Sequence, residues 1–174
     1  MLFRSLAPGA HGANRTGRVF TGDSSGDWLF RALHEAGFAN QPHSTRRGDG
    51  LTLHDAWVSA SVRCAPPDNK PARVEILACR PYLERELALL PRLRCIVALG
   101  RLAFDNYLDI LRARGAIASR APFAFAHLAE FHPAPATPVL LASYHPSQQN
   151  TSTRRLTRDM LAAVFARAAA IIGE

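Results

Sequence analysis

Long apolar runs, lysine and cysteine are all scarce in this chain, and each scarcity excludes something. No stretch is apolar for long enough to cross a bilayer. The first residues also lack the charged-then-apolar pattern of a secretory signal, so the expected compartment is the cytoplasm. Three cysteines, Cys64, Cys79 and Cys95, cannot build a disulfide framework, and they suit a reducing environment. By spacing alone they are too few for a metal centre and read as structural thiols. Cys95, inside the apolar run LRCIVAL, reads as a core residue. No internal repeat or low-complexity tract is present.

What is present is arginine. The chain has 174 residues and a formal net charge of +7, and of its 21 basic residues only Lys70 is a lysine. GC-rich codon usage accounts for the preference for arginine over lysine, but it does not remove the charge. A basic surface favours a polyanionic partner bound through salt-sensitive phosphate contacts. The length suits one domain, spanning residues 1–174, with a substantial core.

Four apolar stretches, residues 2–6, 56–62, 94–99 and 138–144, read as strands. The second and third lack clean alternation, as strands buried on both faces of a parallel sheet do. Helical patterns alternate with them. Residues 27–36 follow the capping candidates Ser24 and Ser25 and stop at Gly37. Residues 72–90 open after Pro71 and contain Pro81, a kink candidate, and residues 101–114 close at Gly115. Residues 155–172 place Leu156, Met160, Leu161, Val164 and Phe165 along one stripe. The expected fold is α/β, with helices on both faces of a short four-stranded parallel sheet. The segments 38–50 and 116–137 read as long irregular loops.

Three polar clusters lie just past strand-like runs: SLAPGAHGANRTGRVFTGD at residues 5–23, RCAPPDNKP at 63–71 and SYHPSQQN at 143–150. Open α/β sheets bind ligands in the crevice beyond the carboxyl ends of their strands, so the three clusters suggest one shared site. Taken singly, each cluster also has a plain reading. Residues 7–12 make a tight turn, Asp23 caps a helix, Asn69 forms a turn, Phe20 fills core, and His145 is a satisfied structural histidine.

In order and spacing, LAPGAHGANRTGRVFTGD, VRCAPPDNKP and ASYHPSQQNT closely resemble the family 5 (type B) uracil-DNA glycosylases, and the resemblance extends through VALG to the closing RLT. It implies a three-layer α/β/α fold and excision of uracil, with hypoxanthine and xanthine as further deaminated bases. It also implies a monomer acting on DNA, with no membrane partner and no catalytic metal. Type B members hold a [4Fe-4S] cluster on four cysteines. Cys64 and Cys79 match two of these ligands and Cys95 matches none. The other two belong to a segment upstream of the first strand, so the chain is expected to be N-terminally shortened, with an incomplete cluster site. Two further departures are Ser5 and Arg154, at positions where the family tends to have glycine.

The resemblance also distributes roles. Ala7, Pro8, Gly9 and Ala10 would offer backbone N–H groups to the base, and Phe20 would stack on it. Asp23 would orient water or stabilise the cationic sugar, since Leu6 occupies the position where family 4 relatives place an acid. Asn69 would bond the sugar, water or a phosphate, because Ala60 stands at the relatives' asparagine position. His145 would donate to the uracil O2. Gln148, Gln149 and Asn150 would fill the groove, and Arg15, Arg18, Lys70, Arg154, Arg155 and Arg158 would meet phosphates. Two rival readings are a truncated, inactive nucleic-acid-binding remnant and a small-molecule hydrolase using the same crevice.

Overall fold

The computed structural model describes residues 2–5, 13–67 and 70–173, with backbone alone at 2–5 and 14. Strand β1 (Leu2–Ser5) is followed by a one-turn helix α1 (Ala13–Thr16) and by α2 (Ser24–Glu35). Then come β2 (Trp57–Ala60), α3 (Arg73–Ala88), β3 (Cys95–Leu99) and α4 (Arg101–Ala113). The chain continues through β4 (Glu130–Phe131), β5 (Val139–Ser143), α5 (Gln148–Ser152) and α6 (Arg158–Gly173).

The sheet order is β2-β1-β3-β5-β4. Four strands are parallel, with Leu2 opposite both Trp57 and Ile96, and Cys95 opposite Val139. The fifth departs from the expected four. Glu130 and Phe131 run antiparallel to Leu141 and Leu140, inside the segment read as an irregular loop. Two residues of β structure are too few to leave a periodic signal. What holds β4 at the edge is tertiary: the Glu130 carboxylate accepts two bonds from the Arg167 guanidinium of α6, at 2.7 and 2.9 Å. That guanidinium keeps the Glu130 carboxyl below its ordinary range.

Successive residues of a strand face opposite sides of the sheet, and β3 feeds two cores in this way. Cys95, Val97 and Leu99 join Leu29, Phe30 and Leu33 of α2 and Leu161, Val164 and Phe165 of α6. Ile96 and Ala98 join Phe104, Tyr107 and Leu108 of α4 and Leu83 of α3 on the other side. The result is the expected three-layer α/β/α arrangement. Cys95 is fully buried as expected, and burial pushes its thiol up to about 12.

Some boundaries move. Asp23, not Ser24 or Ser25, caps α2, because its Oδ1 reaches the Gly26 N–H at 2.9 Å. The helix therefore starts earlier than the apolar periodicity indicates. Pro81 lies within α3 on an exposed face, and the helix continues on both sides of it. The last helix begins at Arg158 and not at 155, because Arg154 takes a left-handed φ of 57° between α5 and α6.

Candidate active site

The carboxyl ends of β3 and β5 meet at one point. The Gly100 N–H donates to the Ser143 carbonyl at 2.7 Å, and Gly100 has φ +97°. A Cβ at Gly100 would lie 3.3 Å from the His145 Cβ, so the absence of a side chain there leaves room for the histidine. Next to it, the His127 Nδ1 accepts from the Tyr144 N–H at 3.2 Å. That bond places the ring proton on Nε2, which faces the Met160 carbonyl at 3.2 Å. His127 thereby ties the exit of β5 to α6, and burial lowers its pKa. The Asn150 amide donates to the His145 carbonyl at 2.9 Å, and Ser147 caps α5 beneath it. Three separate segments thus hold the backbone that carries His145.

The His145 ring lies against that of Phe20, with centroids 5.6 Å apart and planes 25° from parallel. Desolvation brings its pKa down to about 4, so the imidazole is neutral at pH 7. Phe20 is only 4% exposed and has φ 61°, which costs a non-glycine residue about 1–2 kcal/mol. Gly26 explains how this is held. A Cβ at Gly26 would fall 2.0 Å from the Phe20 carbonyl oxygen, so the first turn of α2 presses directly on the Phe20 backbone. Asp23 caps that same turn and is partly exposed, and among the described residues its Oδ2 has no hydrogen-bond partner. Asp23, Phe20 and His145 are therefore joined through the start of α2.

The predicted arginines divide in two. The Arg18 Nη1 is committed to Asp49 at 2.7 Å and to the Ser44 Oγ at 3.0 Å. Asp49 also accepts from the backbone N–H groups of Thr45, Arg46 and Leu51. Burial alone would raise the Asp49 pKa, but the Arg18 bond and these N–H groups hold it well below the carboxylate range. Arg18 is therefore the keystone of the 44–51 loop. That loop presents Arg46 and Arg47 beside Arg15, Thr16 and Gly17 in an open basic cleft. The sequence reading passed over Arg46 and Arg47. The RR pair before Gly48 was the available signal, but nothing in it tied this loop to residues 15–17.

At the other rim, the Arg155 guanidinium lies 4.8 Å above the Tyr144 ring, and that of Arg158 lies 5.4 Å above Trp28. Arg154, Gln148, Gln149 and Lys70 are exposed. Ala7, Pro8, Gly9, Ala10 and Asn69 lie outside the described residues.

Cys64 is exposed just past β2, and the Cys79 Sγ accepts from the Arg63 N–H at 3.4 Å, which places α3 against that exit. A [4Fe-4S] cluster takes four thiolates. Among the described residues, no group of three or more His, Cys, Asp or Glu side chains could hold a metal. Two thiols are half a donor set, so a whole cluster does not fit on these residues alone.

Against known proteins, the description "Uracil DNA glycosylase superfamily" matches residues 1–169. The chain is 48% identical over 173 residues to the Type-5 uracil-DNA glycosylase of Thermus thermophilus, covering 99% of this chain and 76% of that protein. It is 45% identical to the Type-5 uracil-DNA glycosylase of Pyrobaculum aerophilum over 168 residues, covering 97% and 70%. A Type-4 uracil-DNA glycosylase of the same organism is 34% identical over 109 residues, covering 62% and 47%.

Proposed function

The chain belongs to the uracil-DNA glycosylase superfamily, and from that premise we propose that it hydrolyses the N-glycosidic bond of uracil in DNA, leaving an abasic site. The observation that carries the reading is the neutral His145 stacked on Phe20 beside the Asp23-capped turn. The base must first leave the stack, at a cost of a few kcal/mol. Phe20, one face of which lies against the His145 ring, is the ring on which the extruded base would stack.

As the C1′–N1 bond breaks, its electron pair moves into the uracil ring and onto O2, and positive charge develops on the sugar. A neutral imidazole N–H from His145 bonds that oxygen more strongly as its charge grows, which lowers the barrier. The Asp23 carboxylate offsets the charge on C1′ and orients the water whose oxygen forms the new bond to that carbon. The attacking water gives up one proton to the Asp23 carboxylate, which passes it on to bulk water, and the uracil departs as the anion that keeps the electron pair of the broken bond. Asn69 and the N–H groups of residues 7–10 complete the base and sugar contacts in this reading. Arg15, Arg46, Arg47, Lys70, Arg154, Arg155 and Arg158 receive phosphates, while Gln148 and Gln149 enter the groove. Asn150 acts one step back, holding the His145 carbonyl.

Hypoxanthine and xanthine are proposed as further substrates. Cys64 and Cys79 are proposed as half of a structural cluster site through which no chemical step runs. The protein is proposed to act as a single-domain monomer in the cytoplasm. No helix among the described residues is long and apolar enough to cross a membrane.

A fluorescent oligonucleotide with one uracil, treated with alkali after incubation, tests this reading. Strand cleavage is expected with the wild type, and a loss of about 100-fold or more in rate with His145→Ala. Asp23→Asn is the sharper variant. Asparagine caps a helix as well as aspartate does, so a variant with an unchanged melting temperature and a lost rate assigns the charge to catalysis. DNA binding without any product from the wild type would overturn the proposal.

A further inference from the structure

The loop at residues 44–51 is built around a carboxylate that is turned inward. The Asp49 side chain is only 6% exposed. Its Oδ1 accepts from the Arg18 Nη1 at 2.7 Å and from the Leu51 N–H at 3.2 Å. Its Oδ2 accepts from the Thr45 and Arg46 N–H groups at 2.8 and 3.3 Å. Four donors on one carboxylate fix the backbone on both sides of the Arg46–Arg47 pair. Ser44, 3% exposed, ties this loop to the segment that carries Phe20 and Asp23. Its Oγ lies 2.6 Å from the Thr21 Oγ1, and its carbonyl accepts from the Gly22 N–H at 3.3 Å.

Outside the loop the charge is of one sign. Arg15, Arg46 and Arg47 are exposed, and the open cleft that they line with Thr16, Gly17 and Thr45 contains no acid. Among the described residues none of the three has an acidic partner. The one carboxylate nearby is already matched by Arg18 and does not offset them. Holding adjacent like charges together costs free energy that a bound polyanion recovers. Ordering long side chains only on binding costs affinity, and a backbone fixed beforehand removes part of that cost.

We infer that Asp49 is a positioning residue for DNA binding: it fixes residues 45–47 so that Arg46 and Arg47, with Arg15, form a preset clamp for backbone phosphates in register with Phe20 and Asp23. The inference rests on the proposed DNA substrate and adds to it a side chain that never touches the strand. The sign of its effect sets it apart. Removing an acid beside a DNA-binding surface ordinarily strengthens binding, because a repulsion is lost. Here Arg18 offsets that charge, and removing the carboxylate releases the loop, so binding weakens.

Fluorescence anisotropy with a labelled duplex lacking uracil, repeated over a range of salt, tests this on four proteins: wild type, Asp49→Ala, the double variant Arg46→Gln/Arg47→Gln, and the triple variant. Asp49→Ala is expected to weaken binding about tenfold and to make the slope of log K against log salt shallower by about one to two. In the double-variant background the same substitution should change affinity by less than about twofold, because its effect runs through those two arginines. A residue that only stabilised the fold would cost the same in both backgrounds. Circular dichroism checks folding, and Asp49→Asn, which keeps the shape and one acceptor oxygen, repeats the comparison where Asp49→Ala does not fold. On a uracil-containing duplex, Asp49→Ala should raise KM about tenfold and leave kcat within about twofold. Binding by Asp49→Ala as tight as the wild type or tighter, or an equal loss in both backgrounds, overturns the inference. A wild type that binds the duplex but cleaves no uracil-containing strand overturns the proposed activity and leaves this inference to the four-protein comparison. A wild type that binds no DNA overturns both.

Discussion

Helices α3 and α6 are each 16 residues long, yet they are held in different ways. In α6, Leu161, Val164, Phe165, Ala168 and Ile171 are buried, and the helix closes one face of the sheet. In α3 only Leu83 is buried, while Val74, Leu77 and Tyr82 face outward. What fastens α3 is polar. The Glu86 carboxylate accepts from the Trp57 Nε1, the Ser59 Oγ and the Arg63 guanidinium, all at or just past β2. The lesson is a division of labour. The face covered by α6 is clamped mainly by apolar packing. Helix α3 is held by the single buried Leu83, the Cys79 contact with Arg63 and the Glu86 carboxylate, and it leaves apolar side chains exposed.

The largest effect should come from breaking the packed side. Phe165→Ala should cost about 3–5 kcal/mol in urea unfolding, whereas Leu77→Ala on α3 should change stability by about 0.5 kcal/mol or less. Equal costs would show that the two helices are not held differently.

Acid comes next. The folded-state pKa of His145 is depressed to about 4 from an ordinary 6.5, and that of His127 is also lowered. For a base with a lowered pKa, the folded state binds fewer protons than the unfolded state. Stability is then full above about pH 6.5 and falls as pH drops from there towards 4. The loss from His145 is about 3 kcal/mol. Chemical denaturation at pH 7.5 and pH 4.5 measures it, and His145→Gln should flatten the profile in that window.

Glu86→Ala should follow, costing about 1–3 kcal/mol by stranding its donors. It should raise amide exchange in α3 while leaving α6 protected. Exchange that rises equally in both helices would dissolve the distinction. The smallest change is expected at Arg154, whose φ of 57° strains an arginine and suits glycine. Arg154→Gly should stabilise by about 0.5 kcal/mol, read as a small rise in melting temperature. It should also reduce the salt dependence of DNA binding by about one phosphate contact.

Much of the fold was legible along the chain. The apolar runs ending in polar clusters located the four parallel strands, and the 3.6-residue stripe located α6. The short β4 was not, because two residues carry no period and Arg167 lies far away in sequence. The candidate site was legible in part. The motifs singled out Phe20, Asp23 and His145, and of the two readings open for Asp23 the structure shows the helix cap. Arg18 was read as a phosphate contact, and its guanidinium is spent on Asp49, an ion pair 31 positions apart that no local pattern announces. His127 went unnoticed, since a lone histidine between apolar residues gives no hint that it braces a strand end 17 positions away.

Sequence alone determined the parallel α/β order, the positive charge and the residue types at the strand ends, because these depend on local periodicity and composition. Only the tertiary structure decided that His145 is kept neutral, that Arg18 is committed to Asp49 and that, among the described residues, the buried Asn106 amide has no hydrogen-bond partner. Each of those outcomes depends on burial and on partners brought close by folding, and desolvation is a property of a place in the fold, not of a residue in a string.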